Sequence, residues 1–291
     1  MTIIKHSLAA FAAALLLVGC NHGSLEPSPY DVPVGYFVPE FHWTDYEAVG
    51  TEIHDLMFVV GGNGLSYTKH FYNTREAAQT SLALPVGESG VVYFANASEA
   101  DGYYFEGLPD TKGADGVITL SSIGRPSRQI YGGRVCINMT ENAERHANAD
   151  LSPVVPALTM EIFNIPDDVT IQVVLDNMAK NIVLSPLGDK WATPGSESYG
   201  SFNLGRLSSE NGRMSQLILP TVATDERTSI TLTILQSDAP AIECKLYAPR
   251  IEVGRKYAVD LDFLDLATEM HASSFVINEW KSASDYSGHV F

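Results

Sequence analysis

The chain has 291 residues, of which 45% are hydrophobic, and it carries 35 acidic against 18 basic side chains, a formal charge of −17 at pH 7. Such a surface repels phosphate backbones and anionic lipid headgroups, so the composition excludes nucleic acid as a partner and excludes a basic membrane-binding patch. The length suits two domains of ordinary size, each able to bury a core of its own.

The first predicted element is an export signal that ends at Cys20. Lys5 is followed by an uncharged apolar stretch from Leu8 to Val18, which is typical of a secretory signal and too short to span a bilayer as a helix. Small Gly19 directly before Cys20 is the pattern of a bacterial lipoprotein signal, in which the thiol is acylated and the peptide is cut before it. We therefore expect residues 1–19 to be a signal peptide and Cys20 to carry the acyl chains of a membrane anchor. A plain secreted protein with a chance cysteine is the alternative.

The order of the remaining segments predicts a tether and two folded domains. Residues 20–40 are predicted to be an extended tether, because four prolines occur there without hydrophobic periodicity. Strand-rich segments follow on both sides of one helix-favouring window, Thr140 to Asn148, which Pro153 would end. We place the boundary at this window and predict an N-terminal β-sandwich over 41–150 and a C-terminal β-sandwich with a tail over 151–291.

The predicted strands are short runs of β-branched and aromatic residues between clusters of turn-forming residues. The clearest is Ser229 to Ile234, where aliphatic and polar side chains alternate as on a strand with one dry face. Strands spaced about every ten residues without intervening helices favour two all-β sandwiches over any βαβ unit. The other predicted strands are Met57–Val60, Ser66–Phe71, Ser81–Leu84, Val91–Phe94, Val117–Leu120, Arg134–Met139, Leu158–Phe163, Thr170–Leu175, Ser215–Leu219, Ile242–Tyr247, Tyr257–Phe263 and Ser274–Trp280.

The chain contains none of the common local enzyme signatures. His-Glu-x-x-His, Gly-x-Ser-x-Gly, a phosphate-binding Gly-x-x-x-x-Gly-Lys and Cys-x-x-Cys are all missing from the sequence. Gly61 to Gly64 is interpreted as a hairpin turn rather than a phosphate loop, since no helix signal follows it. Asp110 to Asp115 is interpreted as a solvated turn, because the alternating oxygen ligands of a calcium loop are missing. We therefore predict a protein that is not an enzyme and has no catalytic residue, metal site or cofactor.

Three acidic residues near the C-terminus are the remaining candidates for acid chemistry. Asp260 and Asp262 would lie on one strand face about 7 Å apart, a spacing that suits paired acids, and Asp265 follows. Without a third polar partner nearby in sequence, a solvated strand face is the preferred interpretation.

Two cysteines remain after Cys20, and their strand patterns differ. Cys244 shares an apolar face with Ile242 and Leu246, whereas Cys136 lies opposite its apolar neighbours. An oxidising compartment makes a disulfide between Cys136 and Cys244 one alternative. The difference in exposure, with one thiol buried and one half-exposed, favours the second alternative, in which both cysteines are free.

A set of segments spread along most of the chain past Cys20 is typical of one protein family. The segments are the lipoprotein start, Phe41-His42-Trp43, Leu82 to Ala97, Leu158 to Ile162, Val253 to Leu261 and Ile277 to Trp280. In their order and spacing they resemble the fimbrillin-like lipoproteins of Bacteroidetes, and within these the fimbrium anchoring subunits. The resemblance implies two transthyretin-like, Greek-key β-sandwich domains in tandem, in a pilus component that is lipid-anchored in the outer membrane and faces the cell surface.

The resemblance also implies a place within the pilus, with other fimbrial subunits as partners. Shaft subunits of the family are cut after a basic residue, which removes the first strand and opens a groove for a neighbour's C-terminal strand. Here Asn21 to Thr74 holds no arginine, and its only lysine, Lys69, lies inside a predicted strand. A subunit that keeps its first strand and its lipid suits the base of a pilus better than its shaft. The tail from Lys281 to Phe291 is either a strand offered to the next subunit or a frayed terminus.

Two other functions are weighed against the fimbrial one. A surface lipoprotein that binds glycan is the alternative, because Trp43, Trp191, Tyr103 and Tyr104 would supply an aromatic platform. A hydrolase is disfavoured, since no nucleophile and base are signalled together.

Overall fold

The computed structural model describes residues 32–44, 54–62, 68–74, 81–96, 102–107, 118–122, 126, 128–225, 227–269 and 281–282. Within these ranges the protein consists of strands and one short helix, which confirms the all-β prediction. The strands are β1 (Val34–Trp43), β2 (His54–Gly62), β3 (Thr68–Thr74), β4 (Leu82–Pro85), β5 (Gly87–Ala95), β6 (Tyr103–Glu106), β7 (Ile118–Ser122), β8 (Tyr131–Met139), β9 (Glu144–Pro153), β10 (Ala157–Phe163), β11 (Val169–Asp176), β12 (Asn181–Leu184), β13 (Ala192–Pro194), β14 (Phe202–Ser208), β15 (Arg213–Leu217), β16 (Arg227–Gln236), β17 (Ile242–Pro249), β18 (Lys256–Asp262) and β19 (Lys281–Ser282), and the helix is α1 (Phe263–Glu269).

The first half of the chain forms one 7-stranded sheet in the order β3-β2-β5-β8-β9-β1-β4. Strand β5 is buried from Ser89 to Ala95 without alternation, as expected of a strand that is covered on both faces. Val91 and Tyr93 belong to a smaller core with residues of β1 and β2, whereas Val92 and Phe94 belong to the larger core of the molecule.

The second half forms two 4-stranded sheets, in the orders β15-β10-β18-β19 and β14-β11-β16-β17. Strand β11 alternates strictly between buried and half-buried residues, with Ile171, Val173 and Leu175 fully buried. In strand β16, Ile230 and Leu232 are likewise fully buried. These aliphatic faces supply the core, because an antiparallel strand with period-2 alternation has one dry face and one wet face.

A third 4-stranded sheet, in the order β13-β12-β7-β6, joins the two halves. Strand β7 of the first half pairs antiparallel with β12 of the second half, with Leu120 opposite Ile182. Both side chains are fully buried and belong to one core cluster that also contains Phe94 and Leu184. Strand β9 crosses the predicted boundary between residues 150 and 151, and the division into two domains stays a prediction.

The helix predicted over Thr140 to Asn148 is wrong. Residues 141–142 form a turn, in which Asn142 has a φ of 56°, and Glu144 begins strand β9. Asparagine tolerates this left-handed conformation better than most residues, which suits it to a tight reversal. Parallel pairing of Glu144 to Leu151 with Tyr36 to Trp43 of β1 outweighs the modest helix propensity of the segment.

The predicted tether over 20–40 is corrected for residues 34–40, which belong to strand β1. Phe37 in this segment is completely buried. The prolines suggested an unstructured linker, but burial of the aromatic side chain and pairing with two neighbouring strands stabilise an extended strand instead.

Candidate assembly strand

Strand β1 pairs with β4 at its start and with β9 along the rest of its length, and the two pairings overlap at Tyr36 and Phe37. It runs parallel to β9 from Tyr36 opposite Glu144 to Trp43 opposite Leu151. It also runs antiparallel to β4, and this pairing ends with Phe37 opposite Leu82. The first strand of this half is therefore an internal strand of the sheet.

Aromatic side chains of β1 fill the smaller core. Phe37 is 0% exposed and Phe41 is 7% exposed. The Phe41 ring lies 6.2 Å from the ring of Phe58 and 6.5 Å, edge-on, from that of Tyr93. Burying each phenylalanine contributes on the order of 1.5–3 kcal/mol. A first half without β1 would lose this aromatic core and would expose a long apolar groove.

The start of β1 is held by backbone hydrogen bonds outside the regular strand pairing. The amide of Val86 donates to the carbonyl of Pro33 at 3.0 Å, and the amide of Asn142 donates to the carbonyl of Val34 at 2.9 Å. These bonds join the strand to the turns that follow β4 and β8. They satisfy backbone groups that would otherwise be left without partners at the end of a strand.

The two ends of β1 also show close approaches to neighbouring backbone. A Cβ atom at Gly35 would lie 2.5 Å from the carbonyl oxygen of Thr140, so only glycine fits there. At the other end, both the amide and the hydroxyl of Thr44 donate to the carbonyl of Leu151 at 3.0 Å. The strand is thus fixed from Gly35 to Thr44.

A charged contact links β1 to β9 at the surface. His146 Nδ1 lies 3.3 Å from Glu40 Oε1, and His146 Nε2 lies 2.9 Å from Glu144 Oε1. The hydrogen bond with Glu144, supported by Glu40, raises the pKa of His146 above its ordinary value. The protonated imidazolium is therefore favoured between two carboxylates.

The only lysine or arginine between Asn21 and Thr74 lies in strand β3, as the sequence predicted. Lys69 is paired in register with Val59 of β2. A protease that cuts after a basic residue therefore has no site in the sequence between Cys20 and the end of β1.

Several residues singled out from the sequence lie outside the described residues. Cys20, the turn from Asp110 to Asp115 and the predicted strand from Ser274 to Trp280 belong to this group. Of the tail, only Lys281 and Ser282 are described, and they pair antiparallel with Ala258 and Tyr257 of β18.

The disulfide between Cys136 and Cys244 is not formed. Both cysteines are free, Cys136 exposed on β8 and Cys244 buried on β17. The two strands belong to different sheets. Burial raises the pKa of the Cys244 thiol, which keeps it protonated and unreactive.

The four aromatic residues considered for a glycan platform differ in burial and packing. Tyr103 is 1% exposed and donates its hydroxyl to the carbonyl of Arg128 at 2.7 Å. Trp191 packs against the larger core, and Trp43 packs edge-on against Tyr131. Tyr104 is half-buried.

The acidic series near the C-terminus has a structural role at one position. Asp262 Oδ1 accepts the amide of Leu264 at 2.9 Å and so caps the first turn of helix α1. Its Oδ2 accepts Nδ2 of Asn164 at 2.8 Å. Asp260 lies exposed on β18, and Asp265 lies exposed in the helix.

Two further features concern the described part of the chain alone. It holds no group of three or more His, Cys, Asp or Glu side chains arranged to bind a metal ion. It also holds no helix long and apolar enough to span a membrane.

Sequence reasoning missed two features of the strand framework. It placed part of β1 in a tether, although Phe37 and Phe41 at a four-residue spacing fit one face of a strand. It identified β17 as a strand but had no means of finding that this strand lies at the edge of its sheet. Edge position depends on pairing between distant segments and leaves no local pattern.

Neither a protein-family model nor a curated protein matches the chain. Among solved structures, the fold is similar to the fimbrial anchor protein Mfa2 of Porphyromonas gingivalis, with 8% identity and a TM-score of 0.49 over 79% of this chain and 90% of that one. It is also similar to the C-terminally truncated tip fimbrial protein Mfa3 of the same organism, with 12% identity and a TM-score of 0.40 over 78% of this chain and 94% of that one.

Proposed function

We propose that the protein is a structural, non-enzymatic subunit of cell-surface fimbriae, anchored in the outer membrane by lipid on Cys20 and placed at the base of the pilus. The observation that carries this proposal is strand β1. It lies between β9 and β4, it fills the smaller core with Phe37 and Phe41, and the sequence before its end offers no basic cleavage site.

A retained first strand limits how such a subunit joins a polymer. Strand addition needs a groove with unpaired backbone donors and acceptors. In this half that groove is occupied by the chain's own β1, so a neighbour's strand has no entry there. A subunit that cannot accept a strand at this groove suits the end of a polymer, and a lipid places that end at the membrane. Other fimbrial subunits are then its partners, joined at other edges.

The mature N-terminus tests the proposal. Mass spectrometry of the protein isolated from its native cells is expected to find a chain that begins at Cys20 with acyl chains and contains all of β1. The Cys20→Ser variant is expected to lack the acyl mass. A mature chain that begins beyond Trp43 and carries no lipid would make the protein a shaft subunit and overturn the proposal.

The anchoring role is tested by where the fimbriae are found. Cells that carry Cys20→Ser are expected to release fimbriae into the medium, because a polymer without a lipid at its base has no hold on the membrane. Cys136→Ser, which removes an exposed thiol from β8, is the matched control and is expected to leave fimbriae on the cells. Fimbriae that stay attached in the Cys20→Ser strain would contradict an anchoring role.

A further inference from the structure

Strand β17 is a regular edge strand of the second half. It pairs with β16 over its full length, from Ile242 opposite Ile234 to Pro249 opposite Arg227, with no bulge in the register. It is the last strand of its sheet, and among the described residues nothing pairs with its other side. Its backbone from Ile242 to Ala248 therefore offers a row of donors and acceptors to an added strand.

The other edge of the same sheet is less suited to pairing. Strand β14 is joined to β11 through a register shift between Val173 and Val174. Such irregularities twist an edge away from a flat partner, and β17 has none. Strand β17 also carries two exposed apolar side chains, Ile242 and Tyr247, which are 40% and 37% exposed.

The side chains of β17 are sorted between its two faces. Cys244, Leu246 and Ala248 are buried against the core, whereas Glu243 and Lys245 are exposed on the outer face. The two opposite charges lie two residues apart, one on each side of Cys244. Two antiparallel copies of the strand can therefore place the glutamate of each copy opposite the lysine of the other.

We propose that two copies of this chain associate through their β17 strands, paired antiparallel about a two-fold axis at Cys244. In this register Glu243 lies opposite the partner's Lys245, and Lys245 lies opposite the partner's Glu243. Residues directly opposite each other in an antiparallel pair share a face, so both charge pairs form on the outer face. On the inner face Ile242 meets the partner's Leu246. The two sheets join into one continuous sheet across the axis.

Charge selects this register over its neighbours. A shift that centres the pair on Glu243 places two glutamates opposite each other, and a shift that centres it on Lys245 places two lysines opposite each other. Like charges directly opposite each other destabilise a strand pair. The registers in between are disfavoured because successive side chains of a strand point to opposite faces. They would place buried residues of one copy opposite exposed residues of the other.

A charge swap tests the partner and the register together. The full chain in a mild non-ionic detergent is examined by sedimentation velocity at about physiological ionic strength, where charge contacts act over roughly 8 Å. Wild type is expected to form a dimer. Lys245→Glu and Glu243→Lys are each expected to weaken it by about tenfold or more, because each places like charges opposite each other twice per dimer. The double variant Glu243→Lys/Lys245→Glu is expected to restore the dimer.

The control variant is Lys190→Glu, which changes the net charge as Lys245→Glu does but at an exposed loop position. It is expected to leave the dimer unchanged. Hydrogen exchange then locates the contact, since the amides of residues 242–247 are expected to exchange more slowly in the dimer than in the Lys245→Glu variant. A monomeric wild type, a double variant as weak as the single ones, or protection confined to another strand would overturn the proposal. The inference does not depend on the fimbrial role or on lipid at Cys20.

Discussion

At the scale of single residues, the charge of His146 joins strand β1 to its neighbour β9. His146 Nδ1 lies 3.3 Å from Oε1 of Glu40 on β1, and His146 Nε2 lies 2.9 Å from Oε1 of Glu144 on β9. The hydrogen bond with Glu144 is the largest cause of its raised pKa. A group whose pKa is higher in the folded than in the unfolded chain stabilises the fold in its protonated form.

The stabilisation by His146 is expected to depend on pH in a defined direction. It is fully present below the unfolded pKa of about 6.5 and is lost as the pH rises through the higher folded value. The His146→Gln variant should therefore be less stable than wild type at about pH 5.5 and equal to it at about pH 9, as measured by urea denaturation. His42→Gln, at an exposed position of β1, is the matched control. An equal loss of stability at both pH values would contradict a role of the charge.

At the scale of secondary-structure elements, β1 shows how a proline-containing segment becomes an internal strand. Pro39 lies opposite Ala147 of β9, beyond Phe37, where the pairing with β4 ends. The missing N–H of proline is tolerated where a strand has one unpaired side. Pro39, one of the prolines that suggested a tether, is therefore compatible with strand structure at this place.

Burial of its aromatic residues is expected to hold β1 in the sheet. Phe37→Ala should lower the free energy of unfolding by about 3–5 kcal/mol, because the side chain is 0% exposed and its loss leaves a cavity. Phe163→Ala on β10, where the side chain is 46% exposed, should cost less than half as much in the same urea titration. Similar losses for the two variants would mean that β1 contributes little to stability, and would weaken the case for a retained strand.

At the scale of the whole molecule, the sheet of β13, β12, β7 and β6 joins the two halves. Strand β5 of the first half also lies close to the loop after β12, since a Cβ atom at Gly90 would meet the carbonyl of Pro186. Nearby, the guanidinium of Arg134 donates to the carbonyls of Gly188 and Asp189. One core cluster contains residues from both halves. Segments that share a core and a sheet are expected to unfold together.

Calorimetry is expected to show a single cooperative transition for the wild-type chain. Leu120→Ala should lower the stability of both halves together by about 2–5 kcal/mol, because Leu120 is fully buried opposite Ile182 of the other half. Leu264→Ala, at a position that is 62% exposed, is the matched control and should have a small effect. Two separate transitions, with the second half unaffected by Leu120→Ala, would show that the halves are independent.

The accuracy of the sequence prediction differed from element to element for physical reasons. Strands with strong alternation were found, as in Ser229 to Ile234 within β16, because their pattern is local. Strand β9 was taken for a helix, since its residues carry helix propensity and its strand state depends on pairing with β1, more than 100 positions earlier. The short strands of the joining sheet gave no signal of their own, apart from β7.

The amino-acid sequence by itself determined the all-β class, most of the strands and the predicted lipidation of Cys20, because alternation, turn residues and the signal pattern are properties of neighbouring residues. The tertiary structure decided that β1 is an internal strand, that the two halves share a core and that β17 is an edge strand among the described residues. Those features arise from contacts between segments far apart in the chain. Which strand lies beside which is settled by the packing of the whole molecule.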